Sequence, residues 1–179
     1  MSGHVIFLHG PSSSGKSTLA KALQSRIDKP FLHLSIDHLR DAGVLPDAGL
    51  ASGSFHWSDM RMAVFDGFHR SLPAFLVAGN NVIVEHILDN PGWCCELKRL
   101  LRPFDVLFVG VYCDLDELCR REQVRGDRPL GSAKQDYQTV HAGRCYDLEI
   151  DNSGDRLSQN VDDILHAWRS GTRVSEFAT

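Results

Sequence analysis

The stretch Val5–Leu23, VIFLHGPSSSGKSTLAKAL, passes from an apolar run through a patch of glycine and serine into a pattern of helical period. Val5–Leu8 is continuously apolar, as in a strand covered on both faces. Beyond Lys16, Leu19, Leu23 and Ile27 recur every four residues and form the stripe of a helix packed on a sheet. Between the two lies Gly10–Ser17, which fits GxxxxGK[ST] and falls where that motif must fall, after a strand and at a helix start. Ser12, Ser13, Ser14 and Gly15 let the backbone curve so that its amide hydrogens converge, and the helix N-terminus adds about +0.5 of an elementary charge. Phosphate is the natural occupant of such a cup. Gly10, Pro11, Ser12, Ser13, Ser14, Gly15, Lys16, Ser17 and Thr18 are therefore the expected nucleotide-binding residues. Lys16 is expected to bridge the β- and γ-phosphates of ATP in catalysis, and the Ser17 hydroxyl to bind Mg²⁺.

Working outward, short apolar runs alternate with amphipathic ones along the whole chain. Strands are predicted at His4–His9, Phe31–Ile36, Asn81–His86, Asp105–Cys113 and Tyr146–Ile150. Helices are predicted at Lys16–Ile27, Ser58–Ala78, Gly92–Leu101, Asp114–Val124, Ser132–Ala142 and Arg156–Trp168. This alternation points to βαβ crossovers and to an α/β fold: a three-layer α/β/α sandwich with a five-stranded parallel sheet. No internal repeat interrupts it, and residues 1–179 read as a single domain. Pro73 is expected to kink or divide the helix that holds it. Ala42–Ser54, AGVLPDAGLASGS, reads as a long connection, and loops of that length are more often functional or mobile than structural. The tail GTRVSEFAT reads as a solvated end.

Composition narrows the classes. The chain has 179 residues, 42% hydrophobic and 23% charged, with a net charge of −4, an ordinary globular balance that gives no electrostatic reason to expect a nucleic-acid partner. No positively charged leader precedes an apolar core at the N-terminus, and no stretch nears the roughly 18 apolar residues of a membrane span; a cytoplasmic protein without a membrane partner is expected. Five cysteines with no CxxC spacing read as reduced thiols, and nine histidines with no HExxH or HxH pair give no reason to expect a histidine-based metal site.

Two acids and a basic segment stand out downstream. Asp37 closes the run FLHLSID, at the carboxyl end of a strand and on the same sheet edge as the phosphate loop. There it could take a proton from an acceptor hydroxyl, or simply N-cap a helix starting at His38. Glu85 closes NVIVE at a Walker-B-like position, where it could hold a water on Mg²⁺ or orient the acceptor, or be a plain strand-end acid; Ser17 and Glu85 are the expected metal residues. Arg120, Arg121, Arg125 and Arg128 fall within nine residues. A helix ending in arginines before a Gly/Pro turn suits a lid near 120–132 that closes over a triphosphate. Arg125 and Arg128 are the expected phosphate contacts, while Arg120 and Arg121 read equally well as a solvated face pairing with Asp114, Asp116, Glu117 and Glu122.

The segments LHGPSSSGKS, SIDHL, VLFVGVYCD, RGDRPLGSAKQ and VHAGRCYDLEIDNS, in this order across nearly the whole chain, resemble the chloramphenicol phosphotransferase family. Many kinases share the phosphate loop; the RGDR…AKQ…VHxGxxYDxExD series is the more specific part. The resemblance implies a nucleoside-monophosphate-kinase-like P-loop fold and ATP-dependent O-phosphotransfer. The family's phosphate-binding lysine and serine then correspond to Lys16 and Ser17, its proposed catalytic aspartate to Asp37, and its lid arginines to Arg125 and Arg128. The chain departs from the family pattern between about Ala42 and Trp57, and at Glu85, where aspartate is usual.

The expected function is transfer of the γ-phosphate of ATP to a hydroxyl of a small molecule, chloramphenicol or a related aromatic antibiotic. The alternatives are a kinase for a shikimate-like acid, sugar or nucleotide-sugar, and a nucleotide-binding sensor without transfer. The acceptor is expected against residues 38–78, where Leu45, Leu50, Phe55, Trp57, Met60 and Phe65 make a largely apolar wall and Arg61 and Arg70 are the nearby cations.

Overall fold

The computed structural model describes residues 2–125 and 131–178. Its first half runs β1 (His4–His9), α1 (Lys16–Arg26), β2 (Phe31–Ser35), α2 (Ile36–Asp41), α3 (Asp47–Ala51), α4 (Trp57–Val77) and β3 (Asn81–His86). The second half runs α5 (Pro91–Leu101), β4 (Asp105–Tyr112), α6 (Leu115–Arg125), α7 (Ser132–Thr139), β5 (Leu148–Asp151) and α8 (Leu157–Ser170). The five strands form one parallel sheet in the order β2-β3-β1-β4-β5.

Alternation within the strands creates the three layers. Val5 and Phe7 of β1 join Val82, Val84, Val106 and Phe108 on the face covered by α4 and α5. Ile6 and Leu8 join Ile83, Leu107 and Val109 on the opposite face, under Leu19 and Leu23 of α1 and Val161, Ile164 and Leu165 of α8. Leu19 and Leu23 are fully buried, which is worth about 1.5–3 kcal/mol for each side chain. Because β1 is central and flanked by β3 and β4, the loop leaving its carboxyl end opens at the middle of the sheet edge.

Several expectations are corrected in detail. The Ala42–Ser54 connection contains a short helix, α3, and a six-residue helix, α2, precedes it. Pro73 lies inside α4 without dividing it, since Phe65, Phe68, His69, Leu72 and Leu76 bury the helix on both sides of that residue. β5 begins at Leu148; just before it, the Asp147 N–H donates to the Phe108 carbonyl at 2.9 Å while the Asp147 side chain accepts the Phe108 N–H at 2.8 Å.

The tail is a strap, not a solvated end. The Asp147 carboxylate accepts the N–H groups of Val174 and Ser175 at 2.6 and 2.8 Å. Arg173 pairs with Asp105, and Phe177 packs on Phe7 and Phe108 with ring centroids 5.4 and 4.7 Å apart.

Candidate active site

The phosphate loop is held open by its backbone and by a residue far along the chain. Gly15 has φ +86° and Ser13 φ +64°, the left-handed conformations that turn the chain into α1. A Cβ on Gly15 would come within 2.5 Å of the Asn152 amide, so glycine is required for both conformation and space. Asn152 donates to the Ser14 carbonyl at 2.8 Å and accepts from Asn160 at 3.0 Å, tying the loop to β5 and α8. Gly10 lets the backbone pass close to β4, where a Cβ would lie 2.3 Å from the Val111 carbonyl oxygen. Pro11 and Ser14 are buried behind the loop; Ser12, Ser13, Gly15, Lys16, Ser17 and Thr18 line the cavity in front of it. Lys16 is folded over the loop, donating to the carbonyls of Gly10 and Pro11 at 2.9 and 2.7 Å.

Both sequence-predicted acids reach this cavity. Glu85 lies beside Ser35 in the β2–β3 register and beside Leu8 in the β1–β3 register. One of its oxygens accepts the Ser17 hydroxyl at 2.9 Å, and the other accepts the His33 ring N–H at 2.8 Å. Burial works to raise its pKa, but the His33 hydrogen bond and the Lys16 charge outweigh it, and the carboxyl is held below the usual range. Asp37 stands in the first turn of α2. The cap of that helix is Ser35, whose hydroxyl accepts the Asp37 N–H at 3.2 Å. The capping alternative for the Asp37 carboxylate is thereby overturned: it lines the cavity, 3.2 Å from the Arg40 guanidinium.

The cavity, about 870 Å³, extends from the phosphate loop to an apolar wall. Leu45, Leu50, Trp57 and Phe65 contribute to the wall as expected, joined by Leu39, Val64 and Trp93; Phe55 and Met60 are not among its lining residues. Arg61 lies over the Phe65 and Trp93 rings, at 5.0 and 4.6 Å from their centroids, and holds Asp89 through two hydrogen bonds of 2.8 and 2.7 Å. Arg70 is exposed and paired with Asp66. His86 also lines the cavity. Its Nδ1 accepts the Leu88 N–H at 2.9 Å, so its proton is on Nε2, which donates to His69 Nε2 at 2.8 Å. Burial pushes His86 down and His69 down to about 4, and both rings stay neutral.

The basic helix separates into two roles. Arg120 is exposed and pairs with Glu117, as a solvated face would. Arg121 turns toward the phosphate loop: it bonds Glu117 at 2.7 Å and the Asn152 carbonyl at 3.1 Å, lines the cavity, and lies 3.3 Å from where a Gly15 Cβ would be. Hydrogen bonds from Arg120 and Arg121 push the Glu117 carboxyl down to about 2. Buried Glu122 accepts the N–H groups of Gly131 and Ala133, both at 2.8 Å, and so joins α6 to the start of α7. α7 docks on the loop in turn, with the Asp136 carboxylate accepting the Ser12 N–H at 3.0 Å. α6 ends at Arg125; the Arg125 side chain and all of Arg128 lie outside the described residues.

Sequence reading missed Asn152, Asn160, Asp136 and the His33–Glu85 bond. Asn152 and Asp136 fall in or beside segments quoted above, but only the fold brings them to the loop. Among the described residues, no helix is long and apolar enough to cross a membrane.

A five-stranded parallel sheet of this order, with a GxxxxGK[ST] loop between β1 and α1, is the architecture of P-loop kinases. The model of the chloramphenicol phosphotransferase-like family matches residues 3–169, and the chain belongs to that family. Relatives from two strains of Mycobacterium tuberculosis, CDC 1551 / Oshkosh and H37Rv, are named as candidate O-phosphotransferases; they are 29% identical over 187 aligned positions, which cover 94% of this chain and 83% of theirs. Among solved structures, the APS kinase CysC of Mycobacterium tuberculosis, in complex with AMPPNP and APS, superposes with a TM-score of 0.66 at 17% identity, covering 94% of this chain and 98% of that one. A gluconokinase from Sinorhizobium meliloti superposes with a TM-score of 0.64 at 16% identity, covering 94% and 93%. These likenesses establish the fold.

Proposed function

We propose that this protein is an ATP-dependent O-phosphotransferase that moves a γ-phosphate to a hydroxyl of a small, uncharged, ring-bearing molecule, chloramphenicol or a related aromatic antibiotic. The observation that carries the reading is one continuous cavity with the phosphate loop at one end, Asp37 on its wall, and an aromatic and aliphatic surface beyond. The family and the AMPPNP-bound kinase of the same fold support nucleotide use.

The residues present fit ATP and Mg²⁺. The loop and the N-terminus of α1, with Lys16 and Ser17, line one end of the cavity, a surrounding suited to phosphate. Ser17 Oγ and the Glu85 carboxylate supply hard oxygen donors 2.9 Å apart on the cavity wall, the chemistry Mg²⁺ takes. When bound, the metal would neutralise charge on the transferring phosphoryl group.

Each residue then has a task. Lys16 exchanges its bonds to the loop carbonyls for the β- and γ-phosphate oxygens. Asp37 accepts the proton of the acceptor hydroxyl as that oxygen attacks phosphorus. Arg121, with Arg125 and Arg128 of the lid segment near 120–132, offsets charge that grows in the transition state. The segment 38–78 holds the acceptor. Arg40 and Arg61 are paired with carboxylates there, which favours a neutral acceptor over an anionic one.

The test is a transfer screen with radiolabelled ATP and Mg²⁺ against hydroxyl compounds that include amphenicols, shikimate-like acids, sugars and nucleotide-sugars, with product mass as the readout. A phosphorylated amphenicol or similar aromatic alcohol is the expected product. Response to anionic sugars alone would overturn the acceptor assignment, and nucleotide binding without any transfer would favour a sensor.

A further inference from the structure

We propose that His33, His38 and Glu85 form a binding site for a borderline transition-metal ion of the Zn²⁺ or Co²⁺ class, beside the phosphate loop. The inference rests on the donor set and its geometry, and does not depend on phosphoryl transfer.

The fold assembles three donors that the sequence scatters. β2 and β3 pair with Ser35 opposite Glu85 and His33 opposite Ile83, so His33 and Glu85 lie on the same face of adjacent strands. The chain then turns into α2, whose first turn brings His38 back over His33, with ring centroids 4.4 Å apart and planes at 80°. One ligand atom from each of the three residues lies within 4.8 Å of the others. His33 and Glu85 already touch at 2.8 Å and are only 6% and 7% exposed, a nearly dry pair fixed by the sheet. His38 is exposed, and its side chain is the movable third arm.

A four-coordinate ion with bonds of about 2.0–2.2 Å spaces its donors by roughly 3.3 Å. His33 and Glu85 are close to that spacing, and His38 reaches it by a movement of roughly an ångström. Two imidazoles and one carboxylate are the donors that suit zinc-like ions, whereas Mg²⁺ takes oxygen and keeps most of its water. Three protein donors leave one coordination position open, and His38 and Glu85 both line the cavity that holds the phosphate loop. Glu85 is shared: ligation would withdraw it from the Ser17 hydroxyl it now accepts. The ion is thus positioned to alter the Ser17 end of the loop.

The experiment titrates chelator-treated protein with Co²⁺, reading the visible bands of four-coordinate cobalt, and repeats the titration with Zn²⁺ by calorimetry. The wild-type protein is expected to bind one equivalent, with Zn²⁺ displacing Co²⁺ and equimolar Mg²⁺ failing to do so. Loss of an outer-shell partner alone costs metal sites about 10–100-fold in affinity, so loss of a ligand in His38→Ala should cost at least that. Because His38 is exposed, this variant keeps the fold, which its melting temperature without metal would verify; His33→Ala should remove the visible bands altogether. Absence of one-to-one binding, equal affinity in wild type and His38→Ala, or displacement of Co²⁺ by equimolar Mg²⁺ would each overturn the proposal.

Discussion

Truncating Asn152 tests whether the phosphate loop is held from outside its own motif. The side chain makes two buried hydrogen bonds, to the Ser14 carbonyl at 2.8 Å and from Asn160 at 3.0 Å, while its backbone bonds to Tyr112 and Arg121 survive in Asn152→Ala. Each lost bond is worth about 1 kcal/mol, and the buried Ser14 carbonyl left without this donor adds a desolvation penalty, giving about 2–3 kcal/mol in all. For a chain of this size that lowers Tm by about 5–10 °C. The loop should lose organisation as well, since Asn152 packs where a Gly15 side chain would sit. We expect affinity for an ATP analogue to fall about tenfold, or ~1.4 kcal/mol. Thermal unfolding and isothermal titration read the two effects, and Asn160→Ala, which loses bonds to Asn152 and to the Asp151 carbonyl but leaves the bond to Ser14 in place, should lower Tm by a comparable amount with little loss of affinity. A variant within about 1 °C of wild type and with unchanged nucleotide affinity would refute the view that this amide holds the loop.

Asp37→Asn should leave Tm and nucleotide affinity near wild type, because Ser35 does the capping, yet reduce transfer about 10²-fold or more, as loss of a general base does; retained transfer per folded molecule would remove Asp37 from catalysis. Arg121→Ala should weaken nucleotide binding and slow transfer while Arg120→Ala does neither, a contrast set by exposure and by the Arg121 bond to Asn152, and equal effects in side-by-side kinetics would argue against it. Burial depresses His9 to about 3 and His69 and His141 to about 4, from 6.5. Below pH 6.5 the unfolded chain therefore binds protons that the folded chain refuses, and stability should fall as pH drops from about 6.5 toward 4. Urea midpoints across that range should show the fall, less steeply in His69→Gln; an identical profile in that variant would exclude His69 from the effect.

What the sequence made legible was local. The phosphate loop could be read because its function lies in contiguous backbone, and the strands because both faces of β1, β3 and β4 are buried and read as unbroken apolar runs. Asp37 and Glu85 could be placed on the correct sheet edge from their positions at strand ends. The role of Asn152 could not, since it bonds a loop residue 138 positions away. Arg120 and Arg121 are neighbours with the same chemistry, and only the helix azimuth sends one to solvent and the other to the loop. A histidine pair separated by five positions matches no linear ligand motif; it becomes a donor pair because α2 folds back on β2. The tail carried one aromatic residue, too little for any periodic signal, and its order comes from Asp147.

The charges around the cavity divide it into two chemically different halves, and this bears on what it can accept. At the loop, Lys16, Lys21 and Arg121 all line the wall beside the N-terminus of α1, a surrounding suited to a polyanion. At the far end each arginine is matched: Arg40 to Asp37 and Asp41, and Arg61 to Asp89 in a two-bond pair laid over Phe65 and Trp93. An anionic acceptor would have to displace Asp89 from that guanidinium, and because the pair is partly exposed this costs only about 0–1 kcal/mol. A neutral alcohol, the acceptor proposed above, would leave the Arg61–Asp89 pair intact and gain the apolar wall. The fold is shared with an APS kinase; under the reading proposed above, the pairing of Arg61 is the feature of this cavity that suits an uncharged acceptor.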